Sequence, residues 1–320
     1  MQSLRKINYQ NIADFIITFY CKKIKYMVQY SEKHLKYNIQ KLRKEQKMEF
    51  KNPDTSILND KKLYIFDMDG TIYLGYNVFD FAIRFINNLR KNGKKVLFFT
   101  NNASHTTDFY VNKLTKLGFS PTRDEIMTSG DVTIEFLKRH RAGKSVYLVG
   151  TDELVENFKE SGINMLTGDE DSADIVVTSF DTTLTYKKLD DACRLIRNGA
   201  EYLSTHPDFN CPTETGFIPD SGAIAAFVTA STGKTPTYFG KPYAETVEMI
   251  SEATGFERDE MCIFGDRLYT DIALGKKHGV TGVLVLSGET TPEDVDRASV
   301  AEKPDFVFDS LDNVDKIMFG

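Results

Sequence analysis

The sequence has no tryptophan and only 4 cysteines in 320 residues, and Cys21, Cys193, Cys211 and Cys262 form no Cys-x-x-Cys pair. That usage excludes a disulfide scaffold and a thiolate zinc site, and it fits a reducing compartment, so a cytoplasmic protein is expected. Long apolar runs are missing too. Phe15–Tyr20 is too short and interrupted to span a bilayer, so no stable membrane insertion is expected. No small-residue cleavage site follows it, as a secretory leader would require. A Gly-x-x-x-x-Gly-Lys-Ser/Thr loop is absent, which argues against an ATP-driven machine. Positive charge is scarce over most of the chain. Residues 1–50 hold 11 Lys and Arg against 4 Asp and Glu, leaving 29 against 42 for the remainder, and the net charge is −6. A body that acidic argues against nucleic acid as a partner.

Hydrophobic content of 41% and charged content of 27% describe an ordinary globular chain with room for a sizeable core. Residues 1–55 are expected to form a basic helical extension. Ile12, Phe15, Ile16, Phe19, Met27, Val28, Leu35, Ile39 and Leu42 recur there at roughly helical spacing between lysines. Such a helix could meet a membrane surface or a partner. The plainer reading is a simple extension ahead of a domain that would be complete from Met48. From Leu63 onward apolar runs and helical patterns alternate. Leu63–Phe66, Val96–Phe99, Ser145–Val149, Asp174–Ser179, Met261–Phe264, Val283–Leu286 and Phe306–Phe308 read as strands. Repeated units of this kind imply an α/β fold with a doubly wound parallel sheet. Residues 206–222 are rich in Pro, Gly, Asp and Thr and read as a long loop.

Polar residues follow three of these runs and the shorter Tyr238-Phe239-Gly240, so a single sheet can bring them to one crevice. Leu63–Phe66 ends in Asp67-Met68-Asp69-Gly70-Thr71. Side chains two apart on extended backbone point the same way, so both carboxylates can face one small volume at the carboxyl end of the sheet. Two carboxylates there repel unless a cation lies between them, and oxygen-only ligation suggests Mg²⁺. On its own the pair is equally an acidic turn. Thr100-Asn101 ends the next strand, Lys241 follows Tyr238-Phe239-Gly240, and Asp266 and Asp271 follow Met261–Phe264. Singly, each has an ordinary structural reading: strand cap, surface lysine, or acids at a helix start.

Taken in order, FDMDGT, TNN, the Lys of GKP and GDRLYTD resemble the four motifs of the haloacid dehalogenase superfamily of phosphohydrolases. The resemblance covers about Lys61 to Gly320. A β-α unit needs about 30 residues, yet 141 positions separate Thr100 from Lys241. A whole domain is therefore inserted there, as in the C2-cap, NagD-type, para-nitrophenyl phosphatase-like branch. The expected layout is a Rossmann-like core over 56–143 and 235–320, with a smaller α/β cap over 144–234.

The resemblance implies a Mg²⁺-dependent hydrolase of small phosphorylated metabolites, such as nucleoside monophosphates, sugar phosphates or phosphoglycolate. Asp67 would be the nucleophile that forms an aspartyl-phosphate. Asp69 would be the general acid-base and also a metal ligand through its backbone carbonyl. Thr100 and Asn101 would hold phosphoryl oxygens, and Lys241 would neutralise the phosphate and Asp67. Mg²⁺ would be held by Asp67, Asp69 and Asp266, with Asp271 orienting Lys241 or a metal-bound water. His206 and Asp208, in the cap, would read the leaving group, although the family more often has Asn where His206 stands. A homo-oligomer formed through the cap is left open. Transfer to another acceptor, as in a mutase, fits less well, because such relatives carry their cap between the first two motifs, and only 33 positions separate Asp67 from Thr100. A catalytically dead phosphometabolite-binding protein would normally have lost Asp67 or Asp69; both are present.

Overall fold

The computed structural model describes residues 50, 52–75, 77–213 and 216–320. The basic helical extension expected at the N-terminus falls, over residues 1–49, outside them. Asn52 lies inside the range assigned to that extension, yet its side-chain amide exchanges two 2.8 Å hydrogen bonds with the main chain of Val307. It therefore covers the open edge of a strand. No helix among the described residues is long and apolar enough to cross a membrane.

Six parallel strands form the main sheet, in the spatial order Phe306–Phe308, Thr281–Val285, Met261–Gly265, Leu63–Phe66, Lys95–Thr100 and Ile126–Thr128. The central strand is buried at every position because it feeds two cores. Tyr64 and Phe66 point to one face, against Phe85, Ile86 and Leu89 of helix Asp80–Lys91 and Leu311 and Val314 of helix Leu311–Phe319. Phe66 stacks on Phe264 at 5.0 Å and meets Phe85 edge-on at 6.0 Å. Leu63 and Ile65 point to the opposite face, with Leu97, Val132, Val247 and Ile250. Period-two alternation with both faces apolar explains the unbroken run in the sequence.

A second sheet, also parallel where paired, runs Thr237–Tyr238, Glu201–Ser204, Ile175–Thr178, Ser145–Val149 and Asn164–Met165. One of its faces shares a core with the first sheet, through Val146, Leu148, Val177 and Leu203. The other is covered by helices Tyr186–Arg197 and Ser221–Thr232. Two expectations need correction. The stretch 206–222 is not one long loop: it contains the antiparallel pair Asn210–Thr213 with Gly216–Pro219, and then the start of helix Ser221–Thr232. Moreover, the short strand before Lys241 does not return to the main sheet; Thr237 and Tyr238 pair with Leu203 and Ser204 of the second. The chain re-enters the core only after residue 238.

Candidate active site

Asp67 follows the central strand directly, and its amide still donates to Phe264 O (2.8 Å), so its position is fixed by the sheet. Gly70 turns the chain away at φ +85°, and a Cβ there would lie 2.3 Å from Asp266 Oδ2. Only glycine allows both the left-handed turn and that approach. Lys241 is 2% exposed. Its ammonium lies 2.5 Å from Asp67 Oδ1 and 2.6 Å from Asp271 Oδ1. Burial works against the charge on Lys241, but the carboxylates of Asp271 and Asp67 outweigh it and raise the pKa.

Asp67, Asp266 and Asp271 each offer a carboxylate oxygen within 4.8 Å of the others. Their environments separate their uses. Asp271 is committed: Oδ1 to Lys241 and Oδ2 to the Arg267 amide (3.2 Å). Asp266 accepts from Glu289 N through Oδ2 (2.7 Å), while its Oδ1 is buried and has no protein partner. Burial first, then Asp67 and Asp271, raise the Asp266 pKa. A buried anionic oxygen facing other carboxylates is costly unless a cation meets it. The donor set, hard oxygens only, fits Mg²⁺. The side chain of Asp69 is not part of this cluster. It opens instead to the adjoining cavity, where loss of water and then the charge of Asp67 raise its pKa. A carboxyl whose proton is retained more readily suits general acid-base work.

That cavity, of about 250 Å³, is lined by Asp67, Asp69, Thr100, Asn101, Asp208 and Lys241 among the residues singled out in the sequence. The structure thus brings distant segments to one volume, and Asp266 and Asp271 lie just behind it. His206 is the exception. It is fully buried, 0% exposed, and does not line the cavity. Its Nε2 lies 2.8 Å from Asp220 Oδ1, and its Nδ1 lies 3.0 Å from Thr205 Oγ1 and 3.2 Å from Ser129 Oγ. With every ring nitrogen engaged inside the protein, it has none left for a leaving group. It braces Asp220, which does reach the cavity and also accepts from Ser221 N at the start of helix Ser221–Thr232.

Tyr73, Tyr110, Lys113, Asn210, Arg267 and Thr270 also line the cavity and carried no assignment from sequence. Arg267 sits inside GDRLYTD, beside Asp266, and that adjacency was a usable signal. Burial opposes its charge, but Asp67 and Asp266 hold the guanidinium protonated, and its Nε lies 3.0 Å from Glu289 Oε2. Lys113 has no motif around it. Its ammonium lies 3.0 Å from the Tyr73 hydroxyl and 4.4 Å from the ring centroid, and burial lowers its pKa.

A family model for haloacid dehalogenase-like hydrolases matches residues 64–164, and a second HAD-hydrolase-like model matches residues 238–314. An acid sugar phosphatase of Staphylococcus saprophyticus is 33% identical over 259 residues, which is 81% of this chain and 98% of the relative. The crystal structure of a 4-nitrophenylphosphatase from Thermotoga maritima superposes with a TM-score of 0.76 at 43% identity, covering 82% of this chain and 99% of that one. A glycerol phosphate phosphatase from Mycobacterium tuberculosis, solved in complex with magnesium, has a TM-score of 0.74 at 29% identity, covering 80% and 76%.

Proposed function

The chain belongs to the haloacid dehalogenase-like hydrolases, on their NagD-type branch, and we propose that it hydrolyses small phosphorylated metabolites by way of an aspartyl-phosphate on Asp67. It is a phosphatase of that family, and the relatives named as phosphatases act on sugar, nitrophenyl and glycerol phosphates. The observation that carries the reading is the pairing of a nucleophile with its counter-charges. Asp67 is held by Lys241 at 2.5 Å at the floor of a cavity, with the unpartnered Oδ1 of Asp266 beside it.

Phosphate-monoester hydrolysis needs accelerations of up to about 10²¹-fold, and general acid-base catalysis supplies only about 10²–10⁴. Several effects must therefore act together. Lys241 fixes one oxygen of Asp67 and so its orientation toward phosphorus. As the Asp67–phosphorus bond forms, the ester oxygen departs and takes the proton from Asp69. Water then attacks the same phosphorus, gives its proton to the Asp69 carboxylate and releases phosphate, restoring the Asp67 carboxylate. Thr100 and main-chain amides at its strand end receive the phosphoryl oxygens. Asp67, Asp266 and the Asp69 carbonyl would hold Mg²⁺, which when bound would supply positive charge to offset the crowded carboxylates and phosphoryl oxygens. Asp271 keeps Lys241 in place from behind.

The layer built on the second sheet acts as the cap. Asp208, Asn210 and Asp220 reach the cavity from it, and on this reading they contact the leaving group and exclude water during the first step. A panel of phosphomonoesters with Mg²⁺, scored by phosphate release, tests the reading. Sugar, glycerol or nucleoside phosphates should be turned over; a folded protein that releases phosphate from none of them, nor from 4-nitrophenyl phosphate, overturns it.

A further inference from the structure

Asn101 stands at the strand end expected to hold phosphate, yet its side chain has no hydrogen to offer a phosphoryl oxygen. A carboxamide carries two N–H donors and one carbonyl acceptor. Oδ1 accepts from the Lys241 main-chain N (2.7 Å). Nδ2 donates to the Lys241 carbonyl (3.0 Å) and to Asp208 Oδ2 (3.1 Å). The reversed amide would set NH₂ against the Lys241 N–H, so the network admits one orientation. Asn101 is 7% exposed. Gly240 lets the amide approach: its φ is +74°, and a Cβ there would fall 2.8 Å from Asn101 Oδ1.

The exchange of two bonds with one residue's main chain imitates a rung of a β-ladder. It replaces a rung the sheet does not supply. Lys241 follows a two-residue strand of the second sheet, so no strand pairing ties it to the main sheet that carries Asp67. We propose that Asn101 is a positioning residue: it pins the main chain of Lys241 to the core strand Lys95–Thr100, and through Asp208 it ties that position to the cap. Lys241 then spans 2.5 Å to Asp67 and 2.6 Å to Asp271 because its backbone is held from the side. The phosphoryl-binding role at this strand end falls to the Thr100 hydroxyl and main-chain amides.

The proposal rests on the phosphatase reading, and a double-mutant cycle separates the two. Turnover of 4-nitrophenyl phosphate is compared in wild type, Asn101→Ala, Lys241→Ala and the double variant. A displacement near 1 Å at a reacting group can cost about 10²-fold, so Asn101→Ala should lose about that much in the wild-type background. In the Lys241→Ala background it should lose less than about 3-fold, because interacting residues are non-additive. Equal losses in both backgrounds mean that Asn101 acts on substrate or on the fold independently of Lys241, and the proposal falls. Should Asn101→Ala show no cooperative thermal transition, Asn101→Asp takes its place; it keeps the acceptor and the volume, loses both donated bonds, and the same two outcomes decide. An inactive wild type would sink the phosphatase reading, whereas an additive cycle in an active enzyme sinks only the assignment of Asn101.

Discussion

Replacing Gly288 by alanine tests the metal assignment without substituting a carboxylate. The added Cβ would stand 2.0 Å from Asp266 Oδ2 and 2.5 Å from its Cγ, where ordinary contact begins near 3.4 Å. The carboxylate must therefore withdraw by about 1.4 Å, or the turn carrying Gly288 must shift. Either movement breaks the 2.7 Å bond from Glu289 N, a hydrogen bond to a charged group worth about 1.5–3 kcal/mol. It also carries away Oδ1, the oxygen with no protein partner. Losing such outer support typically costs about 10–100-fold in metal affinity, or about 1.4–2.7 kcal/mol. Thermal unfolding against Mg²⁺ concentration reads this directly, because an ion bound only by the native state raises the melting temperature. The wild type should be stabilised by Mg²⁺, and the variant should need about 10–100-fold more for the same rise. A folded Gly288→Ala protein with unchanged Mg²⁺ dependence would refute the reasoning.

Two further outcomes follow from the same geometry. His206→Ala removes a fully buried ring and leaves Asp220, 4% exposed, without its 2.8 Å partner; urea unfolding should show a loss of about 3 kcal/mol or more, and a loss under about 1 would contradict the bracing role. Chelation by EDTA should abolish phosphate release and added Mg²⁺ should restore it; turnover unchanged in EDTA would remove the ion from the account.

The core was legible in the sequence because a strand buried on both faces writes itself as an unbroken apolar run, and Leu63–Phe66 and Phe306–Phe308 were read to the residue. Ile126–Thr128 is not, since it follows Asp124-Glu125 and ends in a polar threonine, so no unbroken apolar run marks it. Helix Ser221–Thr232 goes unread in the sequence, and its first two residues are taken as loop, because it opens Ser-Gly-Ala, which signals a turn. Its Gly222 answers to packing, as a Cβ there would lie 2.1 Å from Pro207 O. Strand partnership was the harder failure. Tyr238-Phe239-Gly240-Lys241 has the same apolar-then-polar form as the core strands, and nothing in that form says which sheet it joins. His206 misled for a related reason: polarity suggested contact with substrate, whereas three buried partners make it internal. Asp67, Asp69 and Lys241, which line one cavity, stand out in the sequence because chemistry demands those residue types at strand ends; Lys113 and Tyr73, supplied by a helix and a two-residue strand, leave no such mark.

The central claim is that Asp67 takes the phosphoryl group. Mass spectrometry of enzyme quenched in acid during turnover should place one phosphoryl group on the peptide containing Asp67, and Asp67→Asn should carry none and release no phosphate. A phosphoryl-free peptide during steady turnover, together with an Asp67→Asn protein that hydrolyses at the wild-type rate, would contradict it.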